Sequence, residues 1–292
     1  MLIQERVSGP DMLLKLYVTI DDLLQQMHQG LLPKHLPRDP RGGQPHLSAA
    51  EVVTMLVWGA WRGLSDKAKL YYHLCEQHRL EFPGLGSYSK FVEATNRYTV
   101  ELRGLLALLL AHNRQAHQPY PVVFQDSTAL PVCKVARASQ HRTFQAWARK
   151  SKTGSGWWYG FKVHVQCDEE GRLCAFDLTT ATVDDRKLLE PLTRWMRTGV
   201  VVGDGGYLSE AKAYELGSRG VYVLTGIRKN MRKLASQFQL ACLQARHRIE
   251  ELFEFLKCAF GLVRSTHRAS YALPGHLLVC FLAYSLYKRL IA

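Results

Sequence analysis

The chain has 292 residues, 47% of them apolar and 10% aromatic, which supplies one large or two smaller packed domains and excludes a disordered chain. Its formal net charge is +13, and that charge is uneven: residues 1–115 carry 13 Lys and Arg against 11 Asp and Glu, whereas residues 116–292 carry 25 against 14. A polyanion-binding surface therefore belongs mainly to the second part, with nucleic acid as the commonest partner and an anionic membrane surface as the main rival. The seven cysteines are odd in number and lack CxxC spacing, which argues against a zinc site or a disulfide framework. The longest apolar run covers about 11 residues, short of the ~20 a membrane span needs. With no apolar h-region at the start, the chain reads as soluble and cytoplasmic.

Residues 11–30 have helical spacing and stop at Gly30, before a Pro/Gly/Arg-rich loop over 31–46. Ser48 and Glu51 match a capping box that opens a helix over about 49–62. Residues 71–77 continue a helical pattern, 82–91 turn and re-enter helix, and 91–112 end in an apolar helical run. The expectation is an all-helical domain over 1–115, for which binding of DNA ends and dimerisation are equally good roles.

The texture changes near Pro119. PVVFQ reads as a short buried strand ending in Asp126, and 156–167 with 172–181 as a β-hairpin. Residues 184–197 look helical, with Pro191 against that reading. VVVG is a second buried strand ending in Asp204, 209–219 a helix, 221–227 a third strand, 237–260 a long helix, and 273–292 an amphipathic helix. This order predicts an α/β fold, a mixed sheet covered by helices, over 116–292.

Two short strands that each end in Asp can bring Asp126 and Asp204 together at one sheet edge. Two close carboxylates repel, and a divalent cation relieves the repulsion. Oxygen ligands select hard ions such as Mg²⁺ or Mn²⁺, and Gly205 and Gly206 leave room for a metal or phosphate. Alone, either Asp is more often an ordinary turn residue. The third acid lies within 246–257. Ile249, Leu252, Phe253, Leu256 and Phe260 form one helical stripe, so Glu251 points to solvent and Glu250 sits at the rim, between Arg246 and Lys257. An amphipathic helix with i,i+4 ion pairs fits the same spacing.

Arg246, Glu250 and Lys257 have the spacing of the third-acid helix of bacterial insertion-sequence transposases, whose Tyr position here is Leu243. LSAAEVVT, the SYSKF turn, QDSTALPVC, YGFKVH, TVDDRKLL, VGDGGY, IEELFEFLK and FLAYSL follow the order of that family over nearly the whole chain. The chain resembles the DDE transposases, most closely those of insertion sequence 982. The resemblance implies a ribonuclease-H-like core with Asp126, Asp204 and Glu250 as catalytic and metal-holding acids. It further implies two Mg²⁺ ions, replaceable by Mn²⁺, and cleavage of double-stranded transposon-end DNA followed by strand transfer into target DNA. A homodimer is expected in the DNA complex, because two ends must be paired.

Other residues point to DNA contact. Residues 134–156 hold six Lys and Arg and no acid, so Arg142, Arg149, Lys150 and Lys152 read as a loop that tracks the backbone. Arg228 and Lys229 open a similar stretch. Lys162 and His164 share a strand face, for which the resemblance implies phosphate contact and an ordinary polar strand face is an equally good reading, and Arg246 and Lys257, beside Glu250, suit phosphate contact by position. Trp157 and Trp158 can stack on an unpaired base, although hairpin packing is the commoner use. Asp185 reads as a helix-start residue or a support to the site, not as a ligand. Two other functions fit the same residues: a nuclease of this fold without strand transfer, and a non-catalytic DNA-binding protein derived from a transposase.

Overall fold

A computed structural model of the chain describes residues 9–30, 46–116, 119–154, 156–226, 236–263, 265, 269–270 and 272–291. Arg228 and Lys229, and most of the Pro/Gly/Arg-rich loop, lie outside the described residues. The chain divides into two compact units, one of residues 1–109, 258–261 and 271–292 and the other of residues 110–257 and 262–270.

The first unit is helical where described. α1 (Pro10–Gly30) buries Leu13, Leu16, Ile20, Leu23, Leu24 and Met27, the stripe its spacing predicts. The Ser48–Glu51 capping box opens α2 (Ala49–Trp61): the Glu51 N–H donates to Ser48 Oγ at 3.1 Å and the Ser48 N–H to Glu51 Oε2 at 2.7 Å. α2 is buried almost all round, and its Trp61 Nε1 donates at 2.9 Å to the Ala283 carbonyl of the last helix. α3 (Lys67–Gln77), α4 (Tyr88–Arg97) and α5 (Thr99–Gln115) follow. The last helix, α10 (Ala272–Leu290), groups with these N-terminal helices, whereas the sequence reading assigned it to 116–292. Its apolar residues require a partner without saying which.

In the second unit, six strands form one mixed sheet among the described residues. β1 (Val122–Cys133) pairs antiparallel with β3 (Gly156–Asp168) along its length. On the far edge of β3, β2 (Arg149–Thr153) pairs with Gly156–Gly160 and β4 (Leu173–Thr180) with Phe161–Cys167. On the other side, β1 pairs parallel with β5 (Gly199–Gly203), and β5 with β6 (Val221–Thr225). Side chains alternate between faces. Val123, Val201 and Val221 pack on one face with Leu189, Met196, Tyr207 and Leu216. These four come from the region of α6 (Leu189–Thr193), from the 3₁₀ turn Gly205–Tyr207 and from α7 (Glu210–Gly217).

The structure departs from four sequence expectations. The strand expected to end at Gln125 runs on to Cys133, because β3 pairs with it beyond the apolar run. The basic stretch after it is not one loop: it holds the 3₁₀ turn Val135–Gln140 and strand β2. The helix expected over 184–197 shrinks to the 3₁₀ turn Asp185–Leu188 and the five residues of α6, where Pro191 sits in the only full turn. The long helix over 237–260 breaks at Arg246 into α8 (Gln237–Ala245) and α9 (His247–Phe260).

Candidate active site

Asp126 lies inside β1, opposite Val165 of β3, not at a strand end. On its other side the parallel pairing with β5 stops at Phe124↔Val202. Continuing that register by two residues sets Asp126 beside Asp204, the residue that follows β5. Both therefore stand where the sheet loses its parallel neighbour, and within β1 the Asp126 side chain alternates to the face opposite Val123.

The VGDGGY segment builds the second acid locally. Asp204 caps the 3₁₀ turn, its Oδ1 accepting the Gly206 N–H at 2.8 Å. A Cβ on Gly203 would lie 2.8 Å from the buried Tyr207 ring, so glycine lets that ring pack against β5. A Cβ on Gly206 would lie 2.9 Å from Asp204 Oδ1. Gly206 thus serves the Asp204 turn itself, a more local role than the room for metal or phosphate that the sequence suggested.

Ile249, Leu252, Phe253, Leu256 and Phe260 are all buried, as the helical stripe predicts. Exposure does not separate the two candidate glutamates, whose side chains are 58% (Glu250) and 57% (Glu251) exposed. Their partners do. Glu251 pairs with Arg248 at 3.2 Å and His247 at 3.7 Å. Glu250 Oε1 accepts from Arg246 Nη2 at 2.6 Å, and Nη1 of the same guanidinium lies 3.4 Å from Asp126 Oδ2. Arg246 stands at the break between α8 and α9 and bridges Asp126 to Glu250.

Burial, and then the charges of Asp204 and Asp185, push the Asp126 carboxyl up to about 6, while the Ser127 N–H and Arg246 pull it down. The site is short of positive charge even with Arg246 present. Three carboxylates without nitrogen or sulfur donors suit a hard divalent cation, and the raised Asp126 is the group such an ion would relieve. Among the described residues no three His, Cys, Asp or Glu side chains stand ready grouped around one point for a metal. The guanidinium of Arg246 holds the space between Asp126 and Glu250. By donor chemistry the three acids suit such an ion.

Lys162 and His164 face the opposite side of the sheet and engage Asp185. Lys162 Nζ donates at 3.0 Å to Asp185 Oδ1 and to the Val183 carbonyl. His164 Nδ1 lies 3.7 Å from Asp185 Oδ1, and its Nε2 is 2.7 Å from Thr179 Oγ1. His164 is fully buried, and burial, with the Lys162 charge, pulls its imidazole down to about 4, so it is neutral at physiological pH. Ser127, which the sequence did not single out, joins this cluster by donating from Oγ to Asp185 Oδ1 at 3.0 Å. The signal that finds it is the Ser127↔His164 register, a non-local pairing.

Of the basic stretch, Arg142, Lys150 and Lys152 are exposed. Arg149 is exposed as well, but it donates to the Gln145, Ala146 and Ala148 carbonyls and so closes its own turn. Lys152 pairs across the strands with Trp157, which is 63% exposed, whereas Trp158 is buried. Lys257 Nζ stands 6.0 Å over the Phe253 ring. No helix among the described residues is long and apolar enough to cross a membrane.

Residues 116–270 match the family model described as the transposase DDE domain. A cryo-EM structure of a piggyBac transposase synaptic complex with hairpin DNA is similar over 99% of this chain and 74% of that one, at 11% identity and a TM-score of 0.49. No match is found among curated proteins. The matched segment is more than half of the chain, and the chain belongs to the family of transposases with a DDE domain.

Proposed function

We propose that the protein is a DNA transposase of the bacterial insertion-sequence type, with a ribonuclease-H-like core that cuts phosphodiester bonds at transposon ends and joins the 3′-OH to target DNA. The observation that carries this reading is the parallel register of β1 and β5, which ends two residues before Asp126 and Asp204, together with Arg246 linking Asp126 to Glu250. The sheet order, with β4, β3, β1, β5 and β6 side by side, supports the core.

Asp126, Asp204 and Glu250 would hold two Mg²⁺ ions. When bound, these supply the Lewis acidity that activates a water or 3′-OH for in-line attack and steadies the leaving oxygen. The protein's part would be to fix the acids: β1 and β5 would set the two aspartates by register, and Arg246 would tie Glu250, in the first turn of α9, to Asp126. Arg246, released from the carboxylates, would turn to the scissile phosphate, a target that suits a guanidinium's paired donors. Arg142, Lys150, Lys152, Lys257 and the Arg228–Lys229 stretch would track the backbone, in keeping with the excess positive charge of residues 116–292. Two ends must be paired, so the reading includes a homodimer on DNA.

The test is incubation of purified protein with a fragment carrying the element's own ends and Mg²⁺, followed by pre-cleaved 3′-OH ends with a supercoiled target. Cutting and joining support the reading. Cutting without joining reduces it to a nuclease, and binding without either leaves a DNA-binding protein.

A further inference from the structure

Asp185 stands outside the three-acid set, yet its Oδ1 gathers donors from two strands. Ser127 Oγ of β1 donates at 3.0 Å and Lys162 Nζ of β3 at 3.0 Å, while His164 Nδ1 of β3 stands 3.7 Å away, beyond hydrogen-bond reach. Lys162 is tied a second time, to the Val183 carbonyl at 3.0 Å, so the lysine closes the turn that carries Asp185. The location gives this cluster its meaning. Ser127 directly follows Asp126, at the point where β1 has lost β5 as a neighbour. The 3₁₀ turn carrying Asp185 also packs against the 3₁₀ turn that Asp204 caps. One carboxylate is therefore fastened to the residue next to the first acid and seated against the turn of the second.

We propose that Asp185 is a positioning residue that fixes Asp126 and Asp204 relative to each other, taking over the restraint on β1 where the parallel pairing ends. It acts through Ser127 and Lys162 and touches neither the metal nor the DNA. Lys162 belongs to this clamp, so its first task is to hold Asp185. The inference rests on the three-acid reading above. A charged hydrogen-bonded contact that aims metal-holding carboxylates is worth about 10- to 100-fold in metal affinity or activity, and a ~1 Å misplacement at a reacting centre costs on the order of 10²-fold in rate.

The experiment uses the full chain with Asp185→Asn, Ser127→Ala, Lys162→Met and the double Asp185→Asn/Lys162→Met variant. Mn²⁺ affinity is read by electron paramagnetic resonance, DNA affinity by gel shift, and turnover and KM by cleavage of an end-containing duplex. The expected result for Asp185→Asn is a loss of Mn²⁺ affinity and of turnover of about 10- to 100-fold, with KM and DNA affinity unchanged. Ser127→Ala shows a smaller loss of the same kind, and the double variant loses less than the product of the two singles, because both act through one carboxylate. Folded Asp185→Asn protein with wild-type Mn²⁺ affinity and turnover overturns the inference. So does a loss of DNA affinity at unchanged turnover, which would make the cluster a DNA contact. If Asp185→Asn does not fold, Ser127→Ala decides, and unchanged Mn²⁺ affinity there overturns the proposal. Wild-type protein that binds no Mn²⁺ overturns the three-acid reading itself, and this inference with it.

Discussion

Asp126→Asn should make the protein more stable at pH 8 while removing its cleavage activity. A carboxyl shifted from its ordinary 3.8 to about 6 costs roughly 3 kcal/mol when it must be ionised in the folded state. The folded protein keeps its proton over the range where the unfolded chain has lost it. Stability is therefore higher below about pH 4, falls as pH rises towards 6, and stays low above. Asparagine has the same shape and no charge, so the variant gains most of that roughly 3 kcal/mol at pH 8 and about half of it at pH 5. Mg²⁺ should raise the melting temperature of the wild type at pH 8 more than that of the variant if, as proposed, Asp126 is one of its ligands. The assay is thermal melting of both proteins at pH 5 and pH 8, with EDTA and with Mg²⁺. A variant less stable than wild type at pH 8 refutes the reasoning, because it would mean that Asp126 is a satisfied carboxylate already supporting the fold.

Three further outcomes follow from particular contacts. Arg246→Gln leaves Asp126 and Glu250 without their shared guanidinium, so its melting temperature in EDTA falls and Mg²⁺ recovers more of it than in the wild type; equal recovery counts against a shared place for the two cations. Gly160→Ala sets a Cβ 2.2 Å from the Leu130 carbonyl oxygen and 2.9 Å from Pro131 Cα, and the forced shift between β1 and β3 should cost about 1–3 kcal/mol in denaturant melts; wild-type stability would show that the strands part without cost. Removing both Lys150 and Lys152 should weaken duplex binding for all sequences alike and lower the slope of log affinity against log salt by about 2, whereas an unchanged slope places the backbone track elsewhere.

The sequence carries the hairpin of β3 and β4 and the short apolar runs of β5 and β6, and it carries the buried stripe of α9 through its helical period. It hides β2, since Arg149–Thr153 is polar on both faces and holds its place only by pairing with Gly156–Gly160. It also ends β1 too early. The apolar run stops near Phe124, where β5 leaves, but β3 keeps the strand extended as far as Cys133. That is why Asp126, expected at a strand end, sits inside a strand. Helical angle and the Arg246 and Lys257 spacing favour Glu250 over Glu251; both are equally exposed, and what separates them in the fold is the Arg246 bridge to Asp126. The Asp185 cluster depends on pairing Ser127 with His164 across 37 positions, which no local pattern encodes. The last helix reads as amphipathic, yet residues 280–287 are all buried, and the surface that buries them is a tertiary fact.

The central claim is that Asp126, Asp204 and Glu250 form one metal-dependent site that cuts DNA. The most direct measurement compares cleavage of an end-containing duplex by wild type, Asp126→Asn, Asp204→Asn, Glu250→Gln and Glu251→Gln, with Mg²⁺ and with EDTA, with DNA binding followed in parallel. Wild type and Glu251→Gln should cut only with Mg²⁺, and the other three should bind DNA without cutting it. Cutting in EDTA, or wild-type rates from any one of those three, would contradict it.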